Sequence, residues 1–312
     1  MEFEIFEPAY GYVDARLTEF LNERLGSVLD QVRGPFAVAL VLYIVLYGYA
    51  IIRGSITEPM IDFAIRGVKL VIIWTIATTA AYSTYVTEPL FNVLPDVLAR
   101  AVSGADTPNV GASFDEFFSY AAELADKVNK EASPVNIGPV VVAGVVVVVG
   151  ALAAALGFGV VMVAKVALAL LITLGPIFIA CALFDATRRF FFGWLAQGVN
   201  YLVLFALIIT IAQLILGLVR DQWGRIDGGD PVAGGLLFIA LCLLGAIFFL
   251  QTPAIAAGIA GGASAGLADF GNAAGLSPYR MASSAAAGKA ASGSGGGSGG
   301  GRGSIRPAGG RA

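Results

Sequence analysis

From Gly138 to Leu183 the chain runs 46 residues with one charged side chain, Lys165. A helix apolar on every side has no face to offer water and must be buried or lie in lipid. About 20 helical residues cross a hydrocarbon core of ~30 Å, so this stretch is long enough for two crossings. Further apolar runs at 35–52, 68–82, 201–219 and 232–250 approach or reach the same length. Inside lipid each backbone N–H and C=O needs a partner within the protein, and a helix supplies its own. Composition agrees: 57 % of the 312 residues are apolar and only 13 % charged, against roughly 25 % charged in a soluble domain. Mean hydropathy is +0.81. The expected fold is all-α and polytopic, with five to six membrane spans.

Chemistry is limited by what is missing. There is no histidine, which removes the commonest general base and the commonest metal ligand. Cys181 and Cys242 both lie in apolar runs, where they are expected as buried thiols rather than a disulfide or metal framework. The glycines at 295–301 sit in low complexity, without the strand and helix that flank a phosphate loop. No catalytic, cofactor-binding or metal site is expected. A net charge of −3 argues against a surface given over to nucleic acid, although residues 270–312 carry Arg280, Lys289, Arg302, Arg306 and Arg311 and no acid. The start, Met1-Glu2-Phe3-Glu4, is acidic and the first apolar run begins near Pro35. The first span is therefore expected to be a retained anchor rather than a cleaved signal.

Six segments follow. Residues 1–34 form an amphipathic segment with Leu17, Leu21, Leu25 and Leu29 on one face; it is expected to end at Gly34-Pro35 and to pack on a surface or against another copy. Residues 35–88 hold the first two spans, with Tyr43, Tyr47 and Tyr49 crowding the end of the first, where aromatic rings favour the headgroup level. Residues 89–137 are an extramembrane helical loop. In it Ser113 and Glu116 fit a capping box, Asp115 joins Glu116 on an exposed helix start, and Phe114, Phe117, Phe118, Ala121 and Leu124 form a packing stripe. Residues 138–250 are the membrane core, in which Gly175-Pro176 must kink or break the helix. Residues 251–281 are rich in small side chains; Ala254, Gly258, Gly262 and Gly266 recur every four residues, a helix-association pattern. Residues 282–312 are a basic Gly/Ser-rich tail, expected to be disordered.

Lys165 has two readings. It can mark the turn between two spans, its amine reaching the surface, which is the favoured one. Alternatively it lines a pore or pairs between helices, as a charge deep in lipid does when it is functional.

The run Leu174-Gly175-Pro176-Ile177-Phe178-Ile179, then Leu183-Phe184, Thr187-Arg188, Phe191-Phe192, Trp194-Leu195 and Tyr201, resembles the signature of the TrbL family. Those proteins are polytopic inner-membrane subunits of conjugation and type IV secretion systems. The resemblance is strongest over 165–215. It implies an oligomeric channel or platform at the bacterial inner membrane that supports pilus assembly and the transfer of DNA or protein. Its implied partners are further copies of the chain, pilin-like subunits, other inner-membrane components, the lipid bilayer and, transiently, the substrate. The family positions matched are Gly175, Pro176, Arg188 and Trp194. It also implies an external N-terminus, about five spans and an internal tail, so that 138–183 crosses once and the 89–137 loop is periplasmic. A plain count of six conflicts with this and puts both ends on one side. No enzymatic activity is expected. The rival function is transport of a small solute, which Lys165 and the Gly-Pro break fit weakly.

Overall fold

The computed structural model describes residues 4–54, 60–103, 110–132, 137–184, 186–228 and 230–273, with backbone alone at 60–63, 102–103, 222–228 and 262–273. Residues 1–267 form one compact unit. Residues 268–312 form a second, of which only the helical backbone of 268–273 is described. The tail at 282–312 lies outside the described residues.

Among the described residues the chain is helical and without strands. Seven α-helices follow in order: α1 (Phe6–Ile52), α2 (Met60–Thr78), α3 (Leu94–Ser103), α4 (Val110–Lys130), α5 (Gly138–Cys181), α6 (Arg188–Gly228) and α7 (Pro231–Ala273). Two π-helical turns, Ser83–Thr87 and Pro89–Val93, lead into α3. The fold is thus the all-α polytopic one expected. Among the described residues four helices are long and apolar enough to span a membrane: α1, α5, and the stretches Arg188–Asp221 and Pro231–Gly261. Counting the bent pair Ala64–Thr78 and Ser83–Ala101, which meet at 87°, as one broken crossing makes five.

Residues 138–181 do not fold back as two spans. They form one helix of 44 residues, about 66 Å long at 1.5 Å per residue. Pro139 stands in its first turn, where the missing N–H costs nothing. Pro176 lies inside it without ending it. The Gly34-Pro35 break expected in the N-terminal segment is likewise absent, for α1 continues through both residues over 47 positions. Pro35 is exposed, so the carbonyl four residues back can find other partners, while Leu29 and Phe36 are buried on either side and hold the axis.

Helix α5 is the axis of the unit. Its N-terminal half packs with α4, α6 and α7 in one apolar cluster that includes Phe114, Leu124, Val146, Val161, Ile208 and Phe238. Gly150 and Gly157 permit this approach. A Cβ on Gly150 would stand 2.6 Å from the Ala121 Cβ, and one on Gly157 would stand 2.6 Å from Phe114 and 2.8 Å from Phe249. The aromatic stripe of α4 is therefore a packing face, with Phe117 stacked on Phe238 at 5.8 Å. The C-terminal half of α5 packs in a second cluster with Leu21, Leu25, Leu29 and Phe36 of α1, Tyr82, and Trp194 of α6. The four-residue spacing of those leucines is the stripe read from sequence, and each leucine removed from water there contributes about 2 kcal/mol.

Candidate functional site

A proline within a helix has no N–H, so the carbonyl four residues earlier loses its partner. For Pro176 that carbonyl belongs to Ile172. The Tyr82 hydroxyl donates to it at 2.6 Å. One residue earlier, the Leu171 carbonyl accepts from Trp194 Nε1 at 2.9 Å. Side chains from two other parts of the chain thus bond the backbone at the proline. Tyr82 lies at the elbow after α2 and is fully buried. Trp194 is seated between Phe178, stacked at 6.5 Å, and Phe191 at 6.0 Å.

Gly175 makes room for both. A Cβ there would overlap the Tyr82 hydroxyl oxygen and stand 2.8 Å from Tyr82 Cζ and 3.0 Å from Trp194 Cζ2. Gly175, Pro176 and Trp194 therefore meet in one seat, together with Tyr82, which sequence reasoning missed. Tyr82 is 90 residues from the carbonyl it bonds, and no local pattern marks it. Arg188 opens α6 with its guanidinium 6.0 Å from the Phe192 ring.

Lys165 stands in the uninterrupted middle of α5, not at a turn, because no second span begins there. Its amine pairs with Asp14 of α1 at 2.5 Å. The Phe91 ring centroid lies 4.9 Å away and that of Tyr10 5.2 Å. The Lys165 side chain is 7 % exposed and that of Asp14 35 %. The pair couples the two longest of the described helices, with the Tyr10 and Phe91 rings beside the amine. The sequence placed Asp14 on the polar face of an amphipathic helix and gave no hint of its partner 151 residues away.

The 89–137 segment holds a third constellation, and here two expectations need correction. Helix α4 starts at Val110, so Ser113 and Glu116 lie inside it and form no capping box. Ser113 instead accepts from Gln213 Nε2 at 3.0 Å, and Glu116 accepts from the Arg220 guanidinium through both oxygens at 2.5 Å. Asp115 is buried rather than exposed. Its carboxylate accepts from the backbone N–H groups of Ile5, Phe6 and Glu7, each at 2.8 Å. It caps the N-terminus of α1, where unpaired N–H groups and the helix dipole favour an anion. Gly111 admits the chain there, since a Cβ would lie 2.8 Å from the Glu7 nitrogen. Asp115→Ala should release this end, costing about 2 kcal/mol. Hydrogen exchange at the amides of residues 5–7 should then quicken by roughly thirtyfold; unchanged exchange would mean the cap is not what holds α1.

Of the small-residue face, Gly258 is exposed with nothing within 4 Å of where its Cβ would be. Ala254 is exposed as well, while Ala256 and Ala260 are buried within the unit. The surroundings of Gly262 and Gly266 lie outside the described residues. Among the described residues no three His, Cys, Asp or Glu side chains gather as metal ligands.

Together these features define a polytopic helical membrane protein built on one long proline-containing helix, with side chains from remote segments bonded to its backbone. Residues 40–252 match the TrbL family, described as TrbL/VirB6 plasmid conjugal transfer protein, and the chain belongs to that family. It is 28 % identical over 265 residues to the type IV secretion system protein VirB6 of Bartonella henselae, covering 83 % of this chain and 81 % of the relative. Its identity to the protein of the same name from Bartonella quintana is 27 %, with the same coverage. Protein VirB6 of Agrobacterium fabrum is 24 % identical over 268 residues, covering 82 % of this chain and 90 % of the relative.

Proposed function

We propose that the chain is an oligomeric channel or platform subunit of a type IV secretion machine in the bacterial inner membrane, supporting pilus assembly and the passage of DNA or protein. Membership of the conjugal transfer family over residues 40–252 carries this reading. The physical layout supports it. Apolar side chains stay exposed along α5 and α7, among them Val141, Leu152, Leu170, Leu243 and Ile247, and lipid or further copies of the chain can cover them. The Ala254 and Gly258 face of α7 suits close helix approach between copies. Helices α1 and α5, each far longer than a bilayer core is thick, offer surface beyond the lipid to pilin-like subunits and to other inner-membrane components. DNA or protein substrate would be met only in transit, and the subunit's task is to hold neighbours rather than to make or break bonds.

The test is Trp194→Ala in the native secretion system. Truncating this seated ring costs about 3 kcal/mol of local packing, enough to disturb the Gly175 seat but not insertion of the remaining apolar helices. Transfer should fall sharply while the protein still reaches the membrane. Wild-type protein in mild detergent should migrate as a homo-oligomer. Undiminished transfer by the variant would count against a role for the seat, and a strict monomer across detergents and native membranes would remove the platform reading.

A further inference from the structure

Helices α1 and α2 pack side by side with exposed apolar surfaces, including Val41 and Val45 of α1 and Val68 and Ile72 of α2. Between them runs a groove of about 330 Å³, lined by Leu40, Tyr43, Tyr47, Gly67 and Trp74 and, among the described residues, by one charged side chain, Arg66. Tyr47 and Arg66 stand at the end nearer the C-terminus of α1, with Arg53 at the close of that helix beyond them. Leu40 and Trp74 stand at the other end, seven residues or about 10 Å further along the helix. The Arg66 guanidinium lies 4.4 Å from the Tyr47 ring centroid, and the Arg53 guanidinium 5.4 Å from that of Tyr49. One cation held on a tyrosine face at one end of an apolar slot reproduces the order of a phospholipid, with charge at the headgroup level and hydrocarbon below.

We propose that this groove binds one anionic phospholipid, its acyl chain lying along Leu40, Tyr43 and Trp74 and its phosphate held by Arg66. Charge selects the occupant. Among the described residues no acid lines the groove, so an anionic headgroup at the Arg66 end meets attraction, whereas an apolar segment of another protein would gain nothing from that charge. With five N–H donors, the guanidinium can bond a phosphate and still keep other partners. Gly67 opens the slot, because a Cβ there would meet nothing within 4 Å.

The same observation supplies the test. Gly67→Leu adds a side chain at the groove from a position where a Cβ meets nothing within 4 Å, and Arg66→Gln removes the charge but leaves the groove. The full chain, purified in mild detergent, is titrated with phosphatidylglycerol and separately with phosphatidylethanolamine, and bound lipid is counted by native mass spectrometry. Wild type should hold one phosphatidylglycerol with about fivefold preference, the factor one interfacial cation supplies. Arg66→Gln should bring the two lipids level, and Gly67→Leu should lose the tightly held molecule. Equal retention of both lipids by wild type would overturn the proposal, as would an unchanged preference in Arg66→Gln. Crosslinking of Gly67→Cys to a protein segment instead of lipid would overturn it too. Should Gly67→Leu fail to fold, Arg66→Gln decides alone.

Discussion

Gly175→Ala should destabilise the protein by about 4 kcal/mol, more than any other single methyl added to α5. The new Cβ would overlap the Tyr82 hydroxyl and crowd Trp194 Cζ2 at 3.0 Å. Tyr82 is fully buried and cannot swing into solvent. Overpacking of this kind costs 1–3 kcal/mol, and moving the hydroxyl abandons the Ile172 carbonyl, which Pro176 already deprives of its helical partner, at a further cost of about 1–3 kcal/mol. Tyr82→Phe alone should cost about 1.5 kcal/mol, the price of the orphaned carbonyl. In the double variant the hydroxyl is no longer there to clash, so the sum should fall short of additive by at least about 1 kcal/mol. Unfolding of the detergent-solubilised protein by titrated SDS measures all three. Strict additivity would show that Gly175 and Tyr82 do not share a seat.

Lys165→Met is expected to cost about 3 kcal/mol. Removing one member of a buried ion pair typically costs 3–5 kcal/mol because the other is left uncompensated. The lower end applies because Asp14 keeps about a third of its side chain exposed and regains some hydration. Lys165→Met combined with Asp14→Leu should recover most of the loss, since packed apolar side chains can replace a buried pair at little cost. The same SDS titration reads this series. A single variant within about 0.5 kcal/mol of wild type would demote the pair to a surface-grade contact.

The sequence shows the class and the long helices because lipid imposes length and apolarity, and both are visible residue by residue. It shows less of how helices meet. In a soluble helix the apolar stripe marks the buried face, whereas in α5 the buried Val146 and the exposed Val145 are equally apolar, so periodicity cannot separate them. Proline misleads for a related reason. At Pro176 the lost hydrogen bond is answered by Tyr82 from 90 positions away, and the helix Gly138–Cys181 runs through the proline unbroken. Asp115 shows the same limit in a polar segment. Its preference for a helix N-terminus was legible, but the helix it caps is α1 and not its own. The motif glycine, proline and tryptophan could be picked out as a group, while the contacts that explain them depend on residues with no local signature.

Helix α5, about 66 Å from end to end, is a stiff spar pinned near its C-terminal third by Tyr82 and Trp194 and tied to α1 through Lys165. A ten-degree rotation about its midpoint would sweep each tip through roughly 6 Å. With α1 clasped to it, the neighbouring rod must follow, so a small change of inclination within the bilayer becomes a displacement of several ångströms at the aqueous ends.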